Sequence, residues 1–64
     1  MNSYYKLLRR RDVSKKLGIS KTQIYRLISR REFPAPRKLS ERVSVWDESE
    51  IDAWLAEKFG ERAA

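Results

Sequence analysis

A mostly helical fold with one small β-hairpin, three helices in all, is the architecture that this 64-residue sequence predicts. Three observations predict it. Two segments, beginning at Ser20 and Asp47, carry paired helix-start signals. Gly18 supplies a left-handed stop between two closely spaced helical segments. Between Arg37 and Trp46 the hydrophobic period drops from about 3.6 to about 2, the change from helix to strand.

Taken in order, Met1 to Ser3 reads as a loose terminus. Tyr4-Tyr5-Lys6-Leu7-Leu8-Arg9 reads as a short strand or extended arm with imperfect alternation. Helix 1 is expected from about Arg11 to Leu17, where Val13 and Leu17 stand four apart; no conventional N-cap precedes it. Helix 2 is specified twice over. Ser20 and Gln23 have the spacing of a capping box, and Ile19 and Ile24 that of a hydrophobic staple around it. Its end falls near Arg30 or Arg31, because Phe33-Pro34-Ala35-Pro36 follows and residues before proline are pushed to extended geometry. In the hairpin, Val43 and Val45 point one way and Ser44 the other. Leu39 belongs to the opposing strand and Ser40-Glu41-Arg42 to the turn, which lacks an Asn-Gly or Asp-Gly pair.

Helix 3 repeats the logic of helix 2. Asp47 and Glu50 stand at N-cap and N3, and Trp46 and Ile51 form the staple. Glu48, Glu50 and Asp52 load its first turn with negative charge that complements the helix dipole. Ile51, Trp54, Leu55 and Phe59 form the expected inward stripe, and Gly60 ends the helix. The acidic residues of the C-terminal half therefore have an ordinary structural cause, and no carboxylate pair among them calls for catalysis.

Composition narrows the chemistry. Residues 1–64 make one domain, of a size that buries only about 60% of the surface its unfolded chain exposes. Cysteine and histidine are both absent, which removes disulfides, thiolate metal sites, the usual general base and the commonest metal ligand. Neither a metal site nor a cofactor is expected. No apolar run approaches the ~20 residues of a membrane span, and no signal-peptide core is present. The expected location is the cytoplasm, at the nucleoid. Charge is sharply divided: Met1 to Arg42 holds 13 Lys/Arg against 3 Asp/Glu, whereas Val43 to Ala64 holds 2 against 6. A polyanion-binding face backed by an acidic element explains that division better than evenly solvated charge does.

Helix, glycine-containing turn and helix in a basic chain is the layout of a helix-turn-helix DNA reader, and the hairpin after it reads as a wing. The predicted class is thus a winged helix-turn-helix. Projected at about 100° per residue, helix 2 turns Ile24, Leu27 and Ile28 to the core. Thr22, Arg26 and Ser29 fall opposite, with Lys21, Tyr25 and Arg30 on the flanks. Lys21, Thr22, Tyr25 and Arg26 are the candidates for base reading, since Arg bonds guanine O6 and N7 and Thr meets a base edge or a thymine methyl. Tyr25, at the edge of the face, is also placed to donate to a phosphate. Backbone contacts are expected from Lys15 and Lys16 on helix 1, from Ser29 and Arg30, and from Arg37, Lys38 and Arg42 of the wing. The run Arg9-Arg10-Arg11 either grips phosphate or trails as a minor-groove arm. Trp46, Trp54, Phe33 and Phe59 are expected in the core rather than as base-stacking platforms.

Leu17-Gly18-Ile19-Ser20-Lys21-Thr22-Gln23-Ile24-Tyr25-Arg26, followed by Phe33-Pro34-Ala35-Pro36, resembles the AlpA-type phage regulators of the wider excisionase-like, MerR-like winged-helix group. Val45-Trp46-Asp47-Glu48-Ser49-Glu50-Ile51-Asp52-Ala53-Trp54-Leu55 is similar to that family's C-terminal signature, and the three blocks stand in the family's order. The resemblance spans roughly Leu7 to Leu55. It implies a small prophage or mobile-element DNA-binding protein that regulates an integrase gene or acts as a recombination directionality factor. It gives Lys21, Thr22, Tyr25 and Arg26 the recognition-helix role and Arg37 to Arg42 the wing role. Two departures stand out: Arg31 where the family often has glycine, and Ser40-Glu41 in a wing turn that commonly contains glycine.

The leading expectation is a sequence-specific regulator bound to double-stranded DNA. A second is an architectural excisionase that bends attachment-site DNA and recruits integrase; a third is an adaptor whose acidic helix 3 docks a protein partner. Integrase and RNA polymerase are the protein partners considered. A module this small buries about 600–1,000 Å² on DNA, so a homodimer or side-by-side binding on repeats is expected as well. An enzyme is the least supported class, because the sequence shows no nucleophile–base pair, metal cluster or phosphate-cradling glycine loop. The doubly specified start of helix 2 gives a direct check. Ser20→Ala should cost about 0.5–2 kcal/mol of stability, and a thermal melt unchanged within error would place the helix start elsewhere.

Overall fold

The computed structural model describes residues 5–60; Met1 to Ser3 and Tyr4, at the outer end of the expected arm, lie outside the described residues. The elements are β1 (Leu7–Leu8), α1 (Arg10–Leu17), α2 (Lys21–Ser29), β2 (Arg37–Ser40), β3 (Val43–Asp47) and α3 (Glu48–Phe59). The strands form one antiparallel sheet in the order β1-β3-β2. Three helices and a hairpin are the predicted winged helix-turn-helix architecture, with the N-terminal arm added to the sheet as its third strand.

Helix 1 begins at Arg10, one residue earlier than the sequence suggests, because Asp12 substitutes for the missing cap. Its Oδ2 accepts the Arg9 backbone N–H at 3.0 Å, half of a capping box; the arginine side chain has only donors and cannot supply the other half. Gly18 ends the helix at φ 70°, its N–H donating to the Ser14 carbonyl. Helix 2 starts as expected. The Gln23 N–H donates to Ser20 Oγ at 3.2 Å, and the Ser20 N–H donates to Gln23 Oε1 at 3.0 Å.

At the other end of α2, Arg31 adopts φ 59°, a left-handed conformation at a non-glycine residue. The Arg31 N–H donates to the Ile28 carbonyl and the Glu32 N–H to that of Leu27. These are the two bonds of a Schellman motif, which favours glycine where Arg31 stands.

Leu8, Val13, Ile24, Phe33, Trp46 and Ile51 form the core, and Leu17, Ile19, Leu27, Ile28, Trp54 and Leu55 pack against it from its edges. Leu8 lies across from Trp46 in the β1–β3 ladder. The two indoles also hold the irregular segment after α2. Trp46 Nε1–H donates to the Pro34 carbonyl at 2.9 Å and Trp54 Nε1–H to the Glu32 carbonyl at 2.7 Å. Phe33 meets Trp54 edge-on with ring centroids 4.8 Å apart. Val45 is buried outside that core, in a small patch with Tyr5, Leu7 and Arg37 on the opposite face of the sheet from Trp46.

Several expectations are corrected. Ser40 lies in β2 opposite Val43, so the turn is Glu41-Arg42 alone, and a bulge between Lys38 and Ser40 leaves Leu39 unpaired. Asp47 caps α3 by accepting the Ser49 N–H, whereas Glu50 turns away from the cap to Arg37, the stronger partner for a carboxylate. Asp52 lies beyond the first turn. Phe59 is 72% exposed: burial falls along α3 from Ile51 through half-buried Trp54 and Leu55, so the last turn projects past the core.

Three substitutions probe this structure. A non-glycine residue in the left-handed region costs roughly 1–2 kcal/mol, and glycine's extra unfolded-state entropy gives back about 0.4–1. Arg31→Gly should therefore raise stability by about 0.5–1 kcal/mol; a lower melting temperature would show that the arginine side chain holds the turn. Trp46→Ala should cost about 3–5 kcal/mol and unfold most of the population. Trp54→Ala, at a half-buried site, should cost less, and chemical denaturation of both variants checks the order.

Candidate nucleic-acid interface

Helix 2 turns Ile24 fully inward and half-buries Leu27 and Ile28, which fixes what its other side presents. Lys21, Thr22, Tyr25, Arg26, Ser29 and Arg30 are all exposed. Tyr25 remains 43% exposed. The Ser29 hydroxyl donates to the Arg26 carbonyl at 2.9 Å, leaving its oxygen as an acceptor. Among the described residues, no carboxylate lies within ion-pair distance of Lys21, Arg26 or Arg30.

A cleft of about 530 Å³ opens beside this helix. Arg9, Arg10 and Arg11 at the start of α1 line it together with Tyr25 of α2 and Arg42 and Ser44 of the hairpin. Trp46 and Asp12 complete its wall. Sequence reading placed these arginines in a tail, a helix and a wing. The β1–β3 pairing brings them together by carrying the N-terminal arm onto the hairpin. Ser44 and Asp12 were not anticipated here; strand alternation puts Ser44 on the Trp46 side, but nothing local says that α1 faces it.

Several of the residues expected to contact the backbone have intramolecular partners. Lys16 Nζ donates to Glu48 Oε2 at 3.0 Å and lies 3.1 Å from Asp52 Oδ1. The hydrogen bond to Glu48, then that to Asp52, holds the Lys16 ammonium above the usual lysine pKa. The pair is solvent-accessible, so it adds little stability but orients the side chain toward α3. Arg37 Nη2 donates to Glu50 Oε2 at 2.6 Å. Arg37 lies across from Val45, on the sheet face turned away from Ser44 and Trp46. Lys38 bends back to the Glu41 carbonyl at 2.9 Å, bracing the turn. Lys15 is exposed on α1 with no carboxylate of the described residues in ion-pair range.

A short helix pair around Gly18, followed by a basic hairpin and a third helix, defines the winged helix-turn-helix class. Within that class the chain matches the family described as prophage CP4-57 regulatory protein (AlpA) over residues 6–59, and it belongs to that family of prophage regulators. No curated protein and no solved structure matches the chain. Among the described residues, no helix is long and apolar enough to cross a membrane.

Proposed function

We propose that the protein binds double-stranded DNA sequence-specifically, with α2 in the major groove and the hairpin against the backbone or adjacent minor groove, and that it controls expression of an integrase gene. One observation carries the DNA reading: the exposed face of α2 and the adjoining cleft are cationic, while α3 draws its partner cations, Lys16 and Arg37, away from them. The major groove, about 12 Å wide, admits one helix, and the N-terminal part of the second helix is what meets base edges in this class. Lys21, Thr22, Tyr25 and Arg26 occupy that part of α2. Arg26 is the central base reader in this assignment, and Lys15 grips phosphate. Lys16 is the weaker candidate for a phosphate contact, because the carboxylates of α3 compete for it. Membership in a family of prophage regulators supports a promoter target.

Titrations on a promoter-region duplex and a scrambled one, at several salt concentrations, test this. Arg26→Ala should cost about 1–3 kcal/mol on the cognate duplex and much less on the scrambled one, with discrimination lost at one base position. Lys15→Gln should weaken both alike and lower the salt slope by about 1; Lys16→Gln should change both less than Lys15→Gln does. Equal losses on both duplexes for Arg26→Ala would remove α2 as the reader.

A further inference from the structure

Resting on that reading of α2 and the hairpin, we infer that the arginine cleft is a clamp for a single strand of phosphodiester backbone, gripped jointly by the start of α1, Tyr25 and Arg42. The geometry of DNA requires such a place. A helix in the major groove and a hairpin reaching toward the neighbouring minor groove are separated by one sugar-phosphate strand, and that strand must pass between them. The cleft is where the two elements share a lining, Tyr25 from α2 and Arg42 from the hairpin.

The chemistry fits a phosphodiester. Arginine forks donate two parallel hydrogen bonds to phosphate oxygens, and the Tyr25 and Ser44 hydroxyls add neutral donors. Four arginines converge on the cleft, and none has a carboxylate of the described residues within ion-pair distance. Asp12 is the one carboxylate in the lining, and it is engaged by the Arg9 backbone N–H. Four positive charges share the cleft with a single carboxylate, and that excess is relieved when an anion enters. Trp46, fully buried, forms part of the cleft wall.

A phosphodiester strand and a free polyphosphate share this chemistry, and the assignment is to the strand. The test uses the full chain and a set of duplexes, each with one neutral methylphosphonate at a different backbone position. Arg11→Gln and Arg42→Gln, both at exposed positions, should each bind cognate and scrambled duplex several-fold more weakly, and each should lower the salt slope by about 0.9 for every phosphate no longer neutralised. One methylphosphonate position, or two adjacent ones, should reproduce these losses in the unsubstituted protein and have no further effect on either variant. Asp12→Asn, which keeps an acceptor for the Arg9 N–H, should tighten binding to both duplexes.

The clamp is overturned if the positions that silence Arg11→Gln and Arg42→Gln lie far apart on the strand, or if no position silences them. It is also overturned in favour of a free-anion site if tripolyphosphate displaces duplex beyond its ionic-strength effect and shifts the Arg11 and Arg42 Nε–H resonances. Should Arg11→Gln fail to fold, the Arg42→Gln scan against the Tyr25→Phe scan gives the same comparison. Failure of the clamp leaves the Arg26-dependent difference between cognate and scrambled duplex intact, whereas failure of the DNA reading abolishes that difference.

Discussion

Trp46 is where the separate segments of this chain meet. Its side chain is fully buried in a core shared with Leu8 of β1, Val13 of α1, Ile24 of α2, Phe33 of the irregular segment after α2 and Ile51 of α3. An indole offers a large apolar body and a single donor, and both are used here: the ring fills the centre of a six-residue core, and the N–H fixes the Pro34 carbonyl. In a domain with so few buried side chains, one such residue carries a large fraction of the stability. Its place in sequence matters as well. Because Trp46 immediately precedes the Asp47 cap, anchoring it sets the hairpin, the direction of α3 and, through Leu8, the N-terminal arm at once. The cleft exists because that arm and the hairpin share this anchor.

Electrostatic order is laid over the packing. Acidic α3 takes up Lys16 through Glu48 and Asp52, and Arg37 through Glu50. Each of these pairs is accessible to water and adds little to folding. Their effect is one of placement: the cations of α2, the cleft and Lys15 remain without a carboxylate partner among the described residues, as do Lys6, Arg31, Lys38 and, over the Trp54 ring, Lys58. The division of charge along the sequence thus becomes a division in space, with the acidic helix behind and the basic surface in front, as electrostatic steering toward a polyanion needs.

What was legible in the sequence was what is written redundantly in local signals. Ser20 with Gln23, Ile19 with Ile24, Gly18 and Gly60 each specify backbone within a few residues, and the elements they define appear where expected. Periodicity placed Val43, Val45 and Ser44 on the right faces of β3, but it did not reveal that the Val45 face has its own small patch. The start of α1 was missed by one residue because a reverse cap from Asp12 has no conventional residue at Arg9 to announce it. Glu50 had two possible partners, its own helix start and a distant arginine, and sequence spacing shows only the first. The same blindness applied to Lys16 and to the cleft, both of which depend on pairings between elements far apart in the chain. Phe59 obeyed the helical period, which says which side a residue faces but not how far the core extends beneath it.

The central claim is that α2 and the cleft, rather than α3, form the working surface. Backbone amide spectra of the labelled protein, recorded as promoter-region duplex is added, test it most directly. The account predicts shifts at Lys21, Thr22, Tyr25 and Arg26, at Arg9 to Arg11 and at Arg42, with Ile51 to Phe59 unmoved. Shifts confined to α3, with α2 silent, would contradict it and mark the protein as a docking module for another protein.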